Sequence, residues 1–190
     1  MGKVILVTGG ARSGKSSFSE RMLSGSKNVL YIATATAFDE EMRERIRLHQ
    51  NQRSEDWETL EAFDELEERL AERDRIYEAV LLDCITVMTT NLLFHHQDFD
   101  EHNLTVGFWM DFEKEVQLKL KKLIRKVRTI SETFIMVTNE IGMGLVPETP
   151  LSRNFRDIAG RINQMLADEA DEVYFVVSGI PMKIKERNLS

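Results

Sequence analysis

Eight residues near the start of the chain have the types and spacing needed to hold a row of phosphates. They match the P-loop pattern G-x-x-x-x-G-K-[ST] and are, in order, Gly9, Gly10, Ala11, Arg12, Ser13, Gly14, Lys15 and Ser16. Glycines allow the tight turn that points backbone N–H groups at phosphate oxygens, and a following helix adds partial positive charge at its N-terminus. In this pattern the lysine contacts the β- and γ-phosphates and the serine holds Mg²⁺. The motif therefore predicts that the chain binds a nucleoside triphosphate.

Asp83 is a candidate second ligand for that Mg²⁺. It directly follows the apolar run Ala79–Leu82, which predicts a buried strand. An acidic residue at the end of such a strand, the Walker-B position, lies within reach of the metal that the P-loop serine holds. The same carboxylate would also suit the N-cap of a helix that begins near Cys84. The sequence favours the metal role, because the P-loop is present, and leaves the capping role open.

Arg45, His49 and Arg53 form a third group that could do chemistry. Their spacing of i, i+4 and i+8 would place all three on one face of a helix. Two flanking cations favour the neutral imidazole, which is a competent nucleophile, and the arginines could neutralise a phosphate that it attacks. Alternatively, the stripe is a solvated helix face on which Glu41 and Glu44 pair with the arginines.

The elements that must position these residues alternate along the chain. Apolar runs predict strands over Lys3–Thr8, Asn28–Ala33, Ala79–Leu82, Phe134–Thr138 and Glu172–Val177, with an edge strand over Pro181–Lys185. Amphipathic segments predict helices over Lys15–Leu23, Phe38–Arg53, Phe63–Arg73, Thr86–His96, Phe108–Ile130 and Asn154–Ala170. Together with the P-loop, this alternation predicts one α/β domain over residues 1–190, of the P-loop NTPase (RecA-like) type, with a mainly parallel sheet covered by helices on both faces.

Ligands of such sheets bind beyond the carboxyl ends of the strands. The residues that follow the predicted strands are small or polar, as a site there requires: the P-loop, Thr34–Thr36, Asp83, Asn139-Glu140 and Ser178-Gly179. The turn-rich stretch Gly142–Pro150 is expected to be a ligand-facing loop.

Composition limits the partners. The chain has 190 residues, a net charge of −7 and basic residues interspersed with acidic ones, which argues against a nucleic-acid or anionic-membrane surface. No apolar stretch approaches the roughly 20 residues of a membrane-spanning helix, and no signal peptide is expected. The single cysteine, Cys84, excludes an internal disulfide and a multi-cysteine metal site, so we expect a reduced, cytoplasmic protein.

Six stretches taken together make the chain resemble a known family. They are Thr8–Ser16, Leu30–Thr34, Arg45-Ile46 with His49 and Arg53, Asp83–Thr86, Val137–Gly144 (VTNEIGMG) and Phe155–Arg161 (FRDIAGR). The chain resembles the bifunctional adenosylcobinamide kinase/adenosylcobinamide-phosphate guanylyltransferases of cobalamin biosynthesis, and the match runs from the first strand to Lys185. A P-loop alone would not bring the last two stretches with it.

The resemblance implies two reactions. In the first, the aminopropanol hydroxyl of adenosylcobinamide attacks the γ-phosphate of ATP or GTP; in the second, a histidine takes GMP from GTP and passes it to the cobinamide phosphate. The family's guanylylated histidine falls on His49, with Lys15 as the other catalytic residue. Its metal ligands fall on Ser16 and Asp83, and its further nucleotide contacts on Thr34, Ala35, Thr36, Gln50, Asn51, Gln52, Arg53, Glu61 and Asp83. The family is homotrimeric, so the resemblance also implies a homotrimer.

Two other functions stay open on the residues alone. A plain P-loop kinase for another small hydroxyl compound would form no covalent nucleotide adduct. A nucleotide-switched binding protein would need a guanine-selecting signature such as [NT]-K-x-D. The stretch Val137–Glu140 lacks the lysine and the aspartate of that signature, which counts against the switch.

Overall fold

A computed structural model describes residues 2–36 and 56–187 of the chain. The predicted helix over Phe38–Arg53 lies outside the described residues, and so do Arg45, His49, Gln50, Asn51, Gln52 and Arg53.

The described residues contain a seven-stranded sheet. Its strands are β1 (Lys3–Gly9), β2 (Val29–Ala33), β3 (Glu58–Glu61), β4 (Tyr77–Asp83), β5 (Ser131–Val137), β6 (Glu172–Val177) and β7 (Ile180–Glu186). They lie in the order β3-β2-β4-β5-β1-β6-β7. All neighbours are parallel except β7, which pairs antiparallel with β6. The mainly parallel sheet and the edge strand near the end of the chain are therefore confirmed.

The central strands are buried on both faces, which explains why their sequences are continuously apolar. Because side chains alternate along a strand, Val4 and Leu6 of β1 face one core and Ile5 and Val7 face the other. Strand β1 is buried from Val4 to Gly9. Both faces thus exclude water around the strand that leads into the P-loop.

Five α-helices are described. They are α1 (Lys15–Met22), α2 (Leu66–Ala71), α3 (Ile85–Phe94), α4 (Val106–Ile130) and α5 (Pro150–Glu169), and a short 3-10 turn spans Ile141–Met143. Helix α1 packs on one face of the sheet, where Phe18 joins the core of Ile5 and Val7. The other four pack on the opposite face, so the prediction of helices on both faces is confirmed.

Two features of the fold depart from the predicted elements for identifiable reasons. Helix α5 begins at Pro150, four residues before the predicted start, because Thr149 caps it by accepting the Ser152 N–H at 3.2 Å and proline suits the first helical position. The strands predicted from apolar runs do not include β3, which forms because its backbone pairs with β2.

Candidate active site

The P-loop forms the turn that its sequence predicts. Strand β1 ends at Gly9 and helix α1 begins at Lys15. Within the turn the Ser13 N–H donates to the Gly10 carbonyl at 3.2 Å, while residues 10–12 at the tip are exposed. Gly14 has φ of +93°, a conformation that L side chains rarely adopt. The exposed tip and the start of α1 thus form a cradle open to an anion.

Two other segments hold the loop from either side. The Glu140 N–H, just beyond β5, donates to the Gly9 carbonyl at 3.0 Å. The Gly179 N–H, in the turn between β6 and β7, donates to the Ser13 carbonyl at 2.8 Å. A Cβ atom at Gly14 would approach the Gly179 Cα to 3.3 Å, so the contact is close. The cradle is therefore preorganised by its neighbours.

Lys15 is a buried cation beneath this cradle. Lys15 is only 6% exposed, and its Nζ donates to the Gly10 carbonyl at 2.5 Å. Burial lowers the pKa of Lys15, against the opposing effects of Cys84 and Asp83. Within the described part of the chain, no carboxylate lies at ion-pair distance from its ammonium. A phosphate would supply the missing negative charge.

Asp83 ends β4 at the same edge of the sheet. Its carboxylate accepts a hydrogen bond from the Tyr31 hydroxyl at 3.0 Å. The cap of helix α3 is Cys84, whose Sγ accepts the Val87 N–H at 3.4 Å, so the capping role left open for Asp83 is wrong. One strand, β5, separates β4 from β1, which places the two strand ends about 10 Å apart. A metal and its phosphate ligands can bridge that distance.

Ser16 and Asp83 offer oxygen atoms, the ligands that Mg²⁺ prefers. The described residues contain no cluster of three or more histidine, cysteine or acidic side chains that could hold a metal alone. Mg²⁺ commonly takes one or two protein oxygens and completes its shell with waters and substrate phosphates. A sparse donor set beside a phosphate cradle fits such a metal.

Thr34 and Thr36 follow β2, at the same edge. The buried Thr34 hydroxyl donates to the Cys84 carbonyl and accepts the Cys84 N–H, both at 2.8 Å. Asn91 of α3 donates to the Thr34 carbonyl at 2.7 Å and accepts from the Thr36 hydroxyl at 3.2 Å. The Thr34 hydroxyl is therefore committed to joining β2 to β4, whereas Ala35 and Thr36 are only half-buried.

Glu61 is not brought beside the P-loop. It is exposed at the end of β3, the outermost strand, four strand spacings or about 19 Å from β1. The Ala62 N–H that follows it donates to the Ala33 carbonyl at 3.1 Å. The carboxyl edge of the sheet therefore has two halves. Lys15, Ser16 and Asp83 lie in the near half, beside the P-loop, and Thr36 and Glu61 lie in the far half.

A buried polar network supports the end of β5, and of its members the sequence places only Asn139 and Glu140 at the carboxyl edge of the sheet. The Thr138 hydroxyl donates to Asn163 Oδ1 at 2.8 Å and lies 3.2 Å from the Thr86 hydroxyl. Thr86 Oγ1 accepts the Asn139 N–H at 2.8 Å, and the Asn163 amide donates to the Asn139 carbonyl at 3.1 Å and to the Glu140 carboxylate at 3.5 Å. The only sequence signal is the polar pair Asn139-Glu140 after an apolar run.

None of the described helices combines the length and the apolar character needed to cross a membrane.

A strand, a P-loop and a helix in sequence, with an acidic residue two strands away in a parallel sheet, define a P-loop nucleotide-binding protein of the α/β class. The particular family follows from comparison with known proteins. The chain belongs to the CobU family, cobinamide kinase / cobinamide phosphate guanyltransferase, whose model matches residues 5–184.

Three curated relatives are similar to the chain over nearly its whole length. The bifunctional adenosylcobalamin biosynthesis protein CobU of Escherichia coli (strain K12) is 46% identical over 96% of this chain and 99% of its own. CobU of Salmonella typhimurium (strain LT2) is 44% identical, again over 96% of this chain and 99% of its own. The bifunctional adenosylcobalamin biosynthesis protein CobP of Pseudomonas aeruginosa is 38% identical over 95% and 96% of the two chains. These matches confirm the predicted family and its role in cobalamin biosynthesis.

A solved structure supports the fold. A prototypical ATPase from the type III secretion system of pathogenic bacteria matches 98% of this chain with a TM-score of 0.59 and 12% sequence identity. This chain spans 57% of the length of that ATPase chain. The likeness confirms the predicted P-loop NTPase fold.

Proposed function

We propose that the chain catalyses both reactions of its family: phosphorylation of the aminopropanol hydroxyl of adenosylcobinamide by ATP or GTP, then transfer of GMP from GTP to the phosphate so formed. The observation that carries the proposal is a preorganised phosphate cradle above the buried cation of Lys15, in a chain that matches the family over residues 5–184.

In the kinase step, the chain's own residues bind and orient the triphosphate. The N–H groups of the loop tip and the start of α1 face the β- and γ-phosphates, and the Lys15 ammonium exchanges the Gly10 carbonyl for a phosphate oxygen. The acceptor hydroxyl oxygen then forms a bond to the γ-phosphorus as the bond to the β–γ bridging oxygen breaks. The nucleoside diphosphate leaves with the bridging oxygen, and the hydroxyl proton passes to solvent.

The residues Ser16 and Asp83 would hold Mg²⁺ during this step. The metal would supply charge neutralisation on the phosphate oxygens. The Tyr31 hydroxyl, which donates to the Asp83 carboxylate at 3.0 Å, keeps that carboxylate in place.

In the guanylyltransferase step, His49 is the proposed nucleophile. Its ring nitrogen forms a bond to the α-phosphorus of GTP while the bond to pyrophosphate breaks. A cobinamide phosphate oxygen then attacks the same phosphorus, and the phosphorus–nitrogen bond breaks to release the histidine. The flanking Arg45 and Arg53 support the assignment, because their charges would stabilise the anionic transition state.

Intact mass spectrometry after incubation with GTP and Mg²⁺ tests the nucleophile. The wild type should gain the mass of one GMP, and the adduct should be acid-labile. His49→Ala should gain none but keep its kinase activity, measured as phosphorylated cobinamide formed from ATP. His102→Ala, in an exposed loop, is the matched control and should label as the wild type does.

Each alternative has its own result. A folded wild type that phosphorylates cobinamide without forming an adduct would reduce the function to a plain kinase. An adduct that persists in His49→Ala would move the nucleophile to another residue.

The homotrimer and the cytoplasmic location belong to the same proposal. The family resemblance supports a trimer, and light scattering on the purified protein would measure its mass directly. A cytoplasmic location follows from the triphosphates that the proposed reactions consume.

A further inference from the structure

An apolar groove of about 250 Å³ lies between helix α3, the segment after β5 and the first half of helix α5. Its apolar lining comes from Leu93, Phe94, Ile141, Pro147, Leu151 and Phe155. Neither the phosphate cradle nor the metal ligands use these side chains.

The groove opens at the nucleotide edge of the sheet. Ile141 directly follows Glu140, whose N–H donates to the Gly9 carbonyl of the P-loop at 3.0 Å. Helix α3 lies across the same edge, because Asn91 bonds to the Thr34 carbonyl at 2.7 Å. Ile141 lines the groove, and Glu140, the residue before it, contacts the P-loop. A molecule bound in the groove would therefore lie next to the phosphate cradle.

The segment beside the groove exposes large apolar side chains. Met143 is 74% exposed, Leu145 95% and Val146 70%, and Phe94 on the groove wall is 50% exposed. Met143, Leu145 and Val146 lie between Ile141 and Pro147, two residues that line the groove with Phe94, and soluble proteins usually cover such an exposed apolar patch with a ligand or a partner. The patch is continuous with the groove through Ile141 and Pro147.

One cation completes the lining. Arg156 faces the groove, and its guanidinium bonds to Asp157 Oδ1 through Nε at 3.2 Å and Nη2 at 3.1 Å. A guanidinium has five N–H donors, so donors remain for an amide carbonyl or a phosphate oxygen. The groove thus combines apolar walls with one polar group that prefers oxygen acceptors.

We infer that this groove binds the acceptor substrate, by taking one methyl-bearing edge of the corrinoid ring of adenosylcobinamide; the inference rests on the proposed function. A corrinoid is a broad ring with methyl groups and amide arms, so its edge matches apolar walls and its arms match Arg156. A volume of about 250 Å³ accommodates an edge of the ring and leaves the rest under the apolar patch. The arm that carries the hydroxyl then reaches the cradle across Ile141 and Glu140.

A substitution that fills the groove tests this assignment. Ser152 lines the groove, and Ser152→Trp adds bulk there without removing an apolar side chain from the core. Asn154→Trp, on the exposed side of the same helix, is the matched control. Equilibrium dialysis with cobinamide, followed by its visible absorption, should show a Kd raised at least tenfold in Ser152→Trp and unchanged in Asn154→Trp. The Kd for GTP, measured by calorimetry, should stay within twofold in both.

A second variant tests the same assignment if Ser152→Trp does not fold. Phe94→Ala trims a half-exposed ring from the groove wall and should raise the Kd for cobinamide about threefold to tenfold. Circular dichroism and light scattering on each variant would establish its fold and its assembly mass.

Three outcomes would overturn the inference. If folded Ser152→Trp or Phe94→Ala binds cobinamide as the wild type does, the groove is not the corrinoid-binding site. This result would leave the proposed kinase activity standing. A changed assembly mass with unchanged cobinamide affinity would make the groove a contact between copies of the chain. A wild type that neither binds nor phosphorylates cobinamide would overturn the proposed function and this inference together.

Discussion

Two charged side chains are buried at opposite edges of the same sheet, and they differ in whether an opposite charge is bonded to them. Glu172, at the amino end of β6, is 6% exposed and accepts hydrogen bonds from Lys3 at 2.8 Å, Lys183 at 2.9 Å and the Tyr174 hydroxyl at 3.0 Å. Lys15, at the carboxyl end of β1, is equally buried and bonds to the Gly10 carbonyl.

The pKa directions show what the difference means. Burial alone would raise the pKa of Glu172, but its hydrogen bonds from Lys3, Lys183 and Tyr174 outweigh burial and lower the pKa to about 2. Burial lowers the pKa of Lys15, and the charges near it do not compensate. The first site stabilises the fold through charge; the second keeps a poorly compensated cation that a phosphate can satisfy.

The largest expected effect is a loss of activity, without a loss of stability, when Lys15 is replaced. Lys15→Ala should lower kcat/KM for cobinamide phosphorylation by at least about 100-fold, because a positioned cation at the transferring phosphate is lost. Its free energy of unfolding should stay within about 1 kcal/mol of the wild type or rise, since a buried charge is removed. Steady-state kinetics and urea unfolding on one preparation measure both. A variant that loses stability instead would erase the contrast with Glu172.

Glu172→Gln should show the reverse pattern. The charge that holds Lys3 and Lys183 disappears, so the free energy of unfolding should fall by about 2 kcal/mol, with kcat/KM unchanged. Urea unfolding measures the loss. Glu186→Gln removes the exposed partner of Lys183 and is the control, with an expected change below about 0.5 kcal/mol. Equal losses in the two variants would contradict a special role for the buried carboxylate.

The pH dependence of stability should sharpen the same point. The pKa of Glu172 is lower in the folded protein, about 2, than its ordinary value of 4.5, so its contribution is complete above pH 4.5 and is lost as the pH falls towards 2. The difference in free energy of unfolding between the wild type and Glu172→Gln should therefore be constant near neutrality and shrink below pH 4.5. Chemical denaturation at a series of pH values measures this difference. A gap that stays constant down to pH 2 would assign the loss to something other than ionisation.

The smallest expected effect concerns the network behind the P-loop. Thr138→Val leaves Asn163 Oδ1 without its hydroxyl donor, so the free energy of unfolding should fall by about 1–2 kcal/mol and kcat should fall severalfold as Glu140 loses support. Thr129→Val, whose hydroxyl is exposed, should change neither. Thermal unfolding and kinase assays compare the two. An unchanged kcat in Thr138→Val would make the network purely structural.

The sequence predicts the near half of the site well, because its signals are local. The P-loop pattern dictates a turn between β1 and α1, and an apolar run that ends in Asp83 dictates a strand whose last residue lies at the carboxyl edge. The structure bears out both placements, whereas the catalytic and metal roles of these residues stay predictions.

Other features depend on contacts between distant segments, which a local pattern does not contain. Strand β3 has one buried residue, Leu60, and becomes a strand only by pairing with β2. Thr138 and Asn163 are 25 residues apart and meet only once α5 has packed on the sheet. The burial of Lys15 likewise follows from the packing around the P-loop and not from the motif itself.

The bond from the Gly179 N–H to the Ser13 carbonyl has a consequence for how the protein is made. A ribosome completes the phosphate-binding motif at Ser16, yet the turn that braces it is synthesised more than 160 residues later. The motif therefore leaves the ribosome long before its brace exists. Nascent chains halted before residue 179 would carry the whole motif but lack one of its two supports, so we expect them to hold nucleotide poorly.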